Sequence, residues 1–422
     1  MNVMHVHPED VGADARSISE ALAMAQAGDV LLVGTGVYSP SRTGEMLPLR
    51  VPDGVTVEGA GADLCVLDGE GQFEPSFGPI DPELAVVVMG DRSSLSGVTV
   101  TNGGGHGIGA LPGVSATVRD CAITRHGDHG VYLCGVNEAL IVGCTFRENG
   151  HKQYRPTLPR GTGSPQQGHQ IFAEARHGQR NRLVIADNVM RDCFADGVAF
   201  VCFYPEPDGV KLDATIVRNT IEASGRGGLL IACSFGPSGN RQRIVAAGNI
   251  LRDNRQYGIQ AVVASPHADP VPSNNRLEAL FAGNEIVGSP VGIFVRGGGG
   301  ESYENLGEIA IDRNTISTGG QHGIRIVGAL GVDGVRTAGN EVRVVVSRNS
   351  LTGGSPGVAA QAAAGGPGGE VVGNVVSLRT FGNQVEGSPE GAFVVSDGLA
   401  GNRVEVQAGS QAYSQADGDL LA

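Results

Sequence analysis

An asparagine that returns at nearly regular intervals limits what this chain can fold into more than any other feature. Asn188, Asn219, Asn249, Asn284, Asn314, Asn349 and Asn383 are separated by 31, 30, 35, 30, 35 and 34 residues. Each is followed by an apolar residue, a short polar turn and a glycine that opens an alternating apolar run, as in NVMRDCFADGVAFV, NTIEASGRGGLLIA and NEIVGSPVGIFV. Gly197, Gly228, Gly258, Gly292, Gly323, Gly357 and Gly391 keep step with them. A period that drifts while its landmarks stay in step describes strands that repeat and turns that vary in length. Earlier in the chain Cys121 and Cys144 take the Asn place, 23 residues apart, as Gly107 and Gly130 take the Gly place. Three short strands fit one repeat, such as TIVRN, TIEA and GLLIA, and none is long enough for a helix. No such strand buries its apolar side alone, so repeats must stack into a continuous aliphatic column, with coils about 4.8 Å apart. The asparagine then bonds to the backbone of a tight turn and to the asparagine above it.

Composition agrees with a stacked interior. Of 422 residues, 67 are glycine, aromatics make up 5 % and tryptophan is absent, so Val, Ile and Leu must fill the core. The net charge of -14 opposes any general affinity for nucleic acid or an anionic membrane. The opening MNVMHVHPEDVG has no export-signal pattern and no apolar run is long enough to span a bilayer, so the expectation is a soluble, cytoplasmic protein. Seven cysteines without a CxxC spacing are expected to be reduced, buried thiols.

The Asn ladder and the Gly-Ile/Val strands between 95 and 400 resemble the right-handed parallel β-helix proteins of the pectate-lyase-like superfamily, and the opening SISEALAMAQAGDVLLVGTGVYSPS looks like their first coils. The resemblance implies an all-β fold, a single-stranded right-handed parallel β-helix solenoid with a short N-terminal capping helix. Ser17 and Glu20 have capping-box spacing and Gly28 suits a helix C-terminus, so a helix over 17–27 is expected to cover the open end of the core. Residues 1–422 then form one domain: a cap over 1–30, coils over 31–405 with a lid-like insertion at 149–169, and a tail over 406–422. The superfamily includes lyases, hydrolases, epimerases, adhesins and phage fibres, so the fold leaves activity open.

In a solenoid, chemistry is read down columns. Aligning strands on glycine gives an inward column that includes Ile108, Val131, Ile171, Leu229 and Ile259. The next residues face outward by the period of two: Tyr132, Phe172, Leu230, Gln260, Phe294 and Arg325, with Glu174 two places past Phe172. The residue before each glycine reads His106, His129, His169, Asp196, Gly227, Tyr257. Three histidines and an aspartate on four consecutive coils span roughly 14 Å, which suits one small site. The spacing jumps to 44 between Cys144 and Asn188, where the Pro/Gly-rich insertion carries Arg155 and would overhang that column. A polar residue at a turn before glycine is also ordinary, and His322 repeats the pattern elsewhere.

The expected chemistry is acid/base catalysis, lyase or epimerase in type, on a sugar or sugar-like substrate bound across the strand face, as the resemblance implies. His129 or His169 is the expected base, with His106 in the same column, Tyr132 the acid, Asp196 the group that orients a histidine, and Arg125 or Arg155 the partner of a substrate carboxylate. Asp128, Phe172, Glu174, Leu230, Tyr257 and Gln260 complete the substrate contacts; hydrolysis by Asp128 or Glu174 with Asp196 is the nearby variant. Histidine with aspartate suits Zn or Fe, but stacked columns point side chains in parallel and not at one centre, so no metal or other cofactor is assigned. Two other readings stand: an intracellular isomerase or cyclase for a small, partly apolar metabolite under a lid, and a non-catalytic binding or structural solenoid. The partner is a small molecule or oligosaccharide, with no nucleic acid and no membrane.

Overall fold

The computed structural model describes residues 1–73, 81–150, 168–202, 209–265, 271–331, 336–365, 370–387, 393–396, 401–409 and 412–413. The chain forms two compact units, residues 1–199 with 223–226, and residues 200–222 with 227–422.

In the first unit the chain winds through three parallel sheets in turn. One coil contributes Ser115–Arg119, Ala122–Thr124 and Val131–Cys134; the next contributes Glu138–Val142, Thr145–Arg147 and Ile171–Glu174. Ser115 lies opposite Glu138, Ala122 opposite Thr145 and Val131 opposite Ile171, so equivalent strand positions stack in register. Val118, Ile123, Val131, Ile141, Phe146 and Ile171 point into the interior and are buried. The corner before each ladder position turns left-handed, with φ of 52° at Asp120, 67° at Gly143 and 58° at Asp187. Such a corner disfavours most side chains, and the ladder bonds compensate. Cys121 and Cys144 occupy the ladder as buried free thiols. Asn188 resumes it, its Oδ1 accepting the Cys144 amide at 2.9 Å.

A single helix is present among the described residues, Ile18–Met24, packed on the strands Val3–Val6, Val30–Val33 and Leu49–Val51. Ser17 accepts the Glu20 amide at 3.1 Å, as the capping-box spacing predicts, while Glu20 reaches back to the Arg16 amide at 3.1 Å, one residue before the N-cap amide that a capping box uses. The helix stops three residues short of 27 because the Asp29 carboxylate captures the Gln26 amide at 3.0 Å and Ala25 is already extended. Gly28, at φ 92°, serves the following turn. No described helix is long and apolar enough to cross a membrane.

The second unit repeats the three-sheet winding with longer strands, such as Arg241–Ala247, Ile250–Arg252 and Tyr257–Val262, and adds a small sheet of Ser302–Tyr303, Arg336–Ala338 and Glu370–Val372. Its asparagine ladder is continuous: the amides of Asn219, Asn249, Asn284, Asn314 and Asn349 each donate to the Oδ1 of the next, at 2.9 to 3.0 Å. A second ladder, which the glycine-anchored period does not single out, runs through Asn240, Asn275, Asn305, Asn340, Asn374 and Asn402 at another corner.

Candidate functional site

His106, His129, His169 and Asp196 stack on consecutive coils of the first unit. The Gly107 amide donates to the His129 carbonyl at 3.0 Å, Gly130 to His169 at 3.0 Å and Gln170 to Asp196 at 3.3 Å. Ring centroids of His106 and His129 lie 5.1 Å apart and 6° from parallel; those of His129 and His169 lie 5.3 Å apart. The column expected from the glycine alignment is therefore physically assembled.

Its chemistry differs from that of a row of bases. The His129 amide donates to His106 Nδ1 at 3.4 Å, the His169 amide to His129 Nδ1 at 3.2 Å and the Asp196 amide to His169 Nδ1 at 3.2 Å. A ring nitrogen that accepts an amide hydrogen must keep its lone pair, so the proton of each neutral ring sits on Nε2. Each histidine thus presents an N–H donor, and its basic lone pair is already engaged. All three rings are fully buried. This geometry works against His129 or His169 as the base.

Two aspartates belong to the column. Asp128, fully buried, accepts the Gly168 amide at 3.2 Å, and its carboxylate lies 3.8 Å from His106 Nδ1 and 3.6 Å from His129 Nε2. Asp196 is held by Arg226, whose Nε lies 3.1 and 2.9 Å from its two oxygens and whose Nη2 also bonds Oδ2. Its Oδ2 is 3.4 Å from His169 Nδ1, but that nitrogen is an acceptor, so Asp196 does not orient the ring by taking its proton. Arg226 was missed in the sequence; the available signal was an arginine directly before Gly227, where the column first loses its side chain.

Tyr132 and Phe172, expected at an open outer face, are both buried. Phe172 stacks on His129 at 4.6 Å and on His169 at 5.1 Å, while Tyr132 tilts against His106 at 5.2 Å. Alternation fixed their side of the sheet and not their exposure, because the aromatic and imidazole rings pack on one another. Glu174 follows Phe172 on the same face and reaches solvent, its side chain 11 % exposed. Tyr132 Oη donates to Glu174 Oε2 at 2.7 Å, and Arg176 Nη2 lies 3.3 Å from Glu174 Oε1. Burial, and then the Glu174 charge, push the Tyr132 phenol well above its ordinary pKa, so it is a proton donor at neutral pH.

His126, in the RHGDHG segment, is a core residue. Its Nδ1 accepts the Gly103 amide at 3.1 Å and its Nε2 donates to the Val100 carbonyl at 3.1 Å, and burial drives its pKa down to about 3. Arg125 is exposed in a left-handed turn, with φ 60°, and among the described residues no hydrogen bond or ion pair ties its side chain to the column. Arg155 and most of the insertion at 149–169 lie outside the described residues. Leu230 and Tyr257, both buried, and half-buried Gln260 belong to the second unit.

His106, Asp128 and His129 bring three ligand atoms within 4.8 Å of one another, a donor set that suits zinc or iron. A cation at His129 Nε2 must displace the proton held there, and the ring must surrender its bond from the His169 amide. As arranged, the cluster is a hydrogen-bonded one.

Residues 84–277 match the family described as a right-handed β-helix region, and residues 10–152 match one described as a protein of unknown function (DUF1565). No curated protein sequence matches. Among solved structures, the catalytic unit of an α-1,3-glucanase from Streptomyces thermodiastaticus is 14 % identical with a TM-score of 0.58, over 93 % of this chain and 65 % of that one. This chain therefore spans less than two thirds of the glucanase unit. A surface adhesin of Streptococcus pneumoniae is 13 % identical, with a TM-score of 0.45 over 90 % of this chain and 88 % of that one. A periplasmic alginate epimerase is 11 % identical, with a TM-score of 0.41 over 92 % of this chain and 78 % of its own. At these identities the likeness is one of fold: a right-handed parallel β-helix.

Proposed function

Starting from a right-handed parallel β-helix with a buried His/Asp column and a Tyr-Glu pair at its rim, we propose an enzyme that performs acid/base chemistry of the lyase or epimerase type on a sugar or sugar-like substrate. The observation that carries this reading is the 2.7 Å bond from Tyr132 Oη to Glu174 Oε2, with Arg176 on the other carboxylate oxygen. Glu174 is the base: it takes the proton from the substrate C–H. Tyr132 is the acid: it delivers its proton to the departing oxygen in an elimination on the same side, whereas an epimerisation, with its two proton transfers on opposite faces, would need a further acid beyond this hydrogen-bonded pair. The phenolate left behind regains a proton from Glu174 through their shared hydrogen bond, which returns the pair to its starting state without outside acid or base. His106, His129 and His169 act as positioning residues, their rings bracing Tyr132 and Phe172. The fold supports a carbohydrate reading, since a glucanase has the same scaffold. Arg176 would face a substrate carboxylate.

Burying ionisable side chains is costly, and the fold does not require them here: the corresponding positions of the second unit are Gly227, Tyr257 and Val291. A purely structural role is favoured by one observation, the three amide-to-Nδ1 bonds, which tie coil to coil as the asparagine ladders do elsewhere, though with each amide donating back to the preceding coil where an asparagine amide donates to the following one. Incubation with pectate, alginate and glycosaminoglycans, followed by the absorbance of unsaturated uronides and by NMR for epimerised residues, separates the two. The enzyme reading expects turnover that Tyr132→Phe and Glu174→Gln each abolish while the folded state persists. Turnover that survives both substitutions refutes these roles, and silence on every polymer leaves the structural ladder as the better account.

A further inference from the structure

Tyr132 and Glu174 approach a substrate from one side. Tyr132 pairs in register with Phe172 and Cys134 with Glu174, so the phenol and the carboxylate rise from neighbouring coils on the same outward face. Cys134, buried and small, lets the carboxylate lean back one coil, where its Oε2 meets Tyr132 Oη at 2.7 Å. Tyr132 has little freedom to leave that position. It is fully buried, and its ring centroid lies 5.2 Å from that of His106, 5.8 Å from His129 and 5.6 Å from Phe172.

The separation of an acid from a base decides which stereochemical course they can serve, as the spacing of two carboxylates does in glycoside hydrolysis. Each group must come within about 2.6–3.2 Å of the atom that gives or takes the proton. A base below a ring and an acid above it therefore stand at least about 5–6 Å apart. Groups that serve a C–H bond and the neighbouring C–O bond on one face can touch each other. At 2.7 Å, Tyr132 and Glu174 are a pair of the second kind.

We infer that the site carries out a syn elimination and selects its substrate by configuration: the C–H bond beside a carboxyl group and the departing C–O bond must be cis on the sugar ring. This selectivity rests on the acid/base roles proposed above for Tyr132 and Glu174, and adds the stereochemistry those roles leave open. Glu174 removes the ring proton, and the C–H electron pair becomes the new C=C bond as the C–O bond breaks. The departing oxygen takes the Tyr132 proton and leaves as an alcohol. Proton return from Glu174 to the Tyr132 phenolate restores both groups, so no water or other co-reactant is consumed. Among linear polyuronates, those of mannuronate and glucuronate are cis at these two bonds, and those of galacturonate and guluronate are trans.

Steady-state kinetics of the full chain on oligomers of the four uronates, matched in length and followed by the absorbance of unsaturated uronides, tests it. Turnover of mannuronate or glucuronate is expected, with a kcat at least about a hundredfold above that for galacturonate and guluronate, the contribution of a correctly placed acid. The comparison is made at saturation, because a difference confined to KM reports fit and not reaction geometry. Tyr132→Phe should lower kcat on the preferred oligomer by a similar factor, since it too deprives the departing oxygen of its proton. Galacturonate or guluronate turned over as fast as either cis sugar, a preference seen in KM alone, or an undiminished cis preference in Tyr132→Phe overturns the inference while leaving an acid/base enzyme in place. No turnover of any of the four removes the catalytic roles themselves, and the selectivity falls with them.

Discussion

Arg226→Met is the most informative stability test in the first unit. The Asp196 carboxylate has no exposed surface and the Arg226 side chain only 14 %, and the guanidinium grips both oxygens through Nε. Methionine keeps most of the apolar stem while removing the charge, so the measurement reports the ion pair more than the packing. Breaking a buried pair from one side costs about 3–5 kcal/mol, because the remaining charge loses its partner and regains no water. His169 cannot take over, since its nearby Nδ1 already accepts the Asp196 amide. Removing both charges, in Asp196→Asn with Arg226→Met, avoids the stranded carboxylate and should fall within about 1–2 kcal/mol of the parent. Urea unfolding followed by far-UV circular dichroism gives the free energies for the full double-mutant cycle. A loss below about 1 kcal/mol for Arg226→Met, or a double variant as unstable as the single, refutes the claim that this pair holds the end of the column.

Two further measurements address the histidine and asparagine cores. His126 has its pKa lowered to about 3, so the unfolded chain binds a proton at a higher pH than the folded one. Its contribution is fully present above pH 6.5 and is lost as pH falls toward 3, by about 3 kcal/mol at pH 4. His126→Gln should therefore show a smaller drop in unfolding free energy between pH 7 and pH 4 than the parent, and an equal drop contradicts the neutral-core assignment. Asn284→Ala removes donations to the Ala246 carbonyl and Asn314 Oδ1, both 2.9 Å, and the acceptor for the Asn249 amide. The expected cost is about 2–4 kcal/mol in urea unfolding; a cost below about 1 kcal/mol shows that the ladder is decorative.

The sequence made the winding legible because coil stacking forces like onto like. The Asn spacing predicted one ladder, and the glycine alignment placed His106, His129 and His169 in one column. The second ladder through Asn240 and Asn275 has nearly the same period but precedes a different strand, so an alignment anchored on the glycine strand passes over it. Burial of Tyr132 and Phe172 was not legible, since a period of two assigns a side of the sheet and is silent on what lies above it. Arg226 was hidden because it reaches back one coil to Asp196, and column reading pairs only residues in register.

The histidine tautomer was beyond sequence altogether, and it changes the chemistry most. An asparagine in a ladder accepts from the coil before it through Oδ1 and donates onward through Nδ2, so each rung satisfies its neighbours and nothing is left over. In the histidine column the polarity is reversed, each Nδ1 accepting the amide of the coil after it, and the second nitrogen, about 2 Å away across a rigid ring, cannot close the asparagine loop. A histidine ladder therefore holds the backbone as an asparagine ladder does, while turning an N–H donor toward the aromatic and acidic groups that share its face. Placing histidine before the third-sheet strand on three consecutive coils thus builds a polar column separate from the asparagine ladder, whose own positions on these coils are Cys121, Cys144 and Asn188. For the proposed acid/base chemistry the base then comes from outside the column. The carboxylate that meets both solvent and the Tyr132 phenol is Glu174, which the solenoid places on the same outward face as Phe172, one coil from Tyr132.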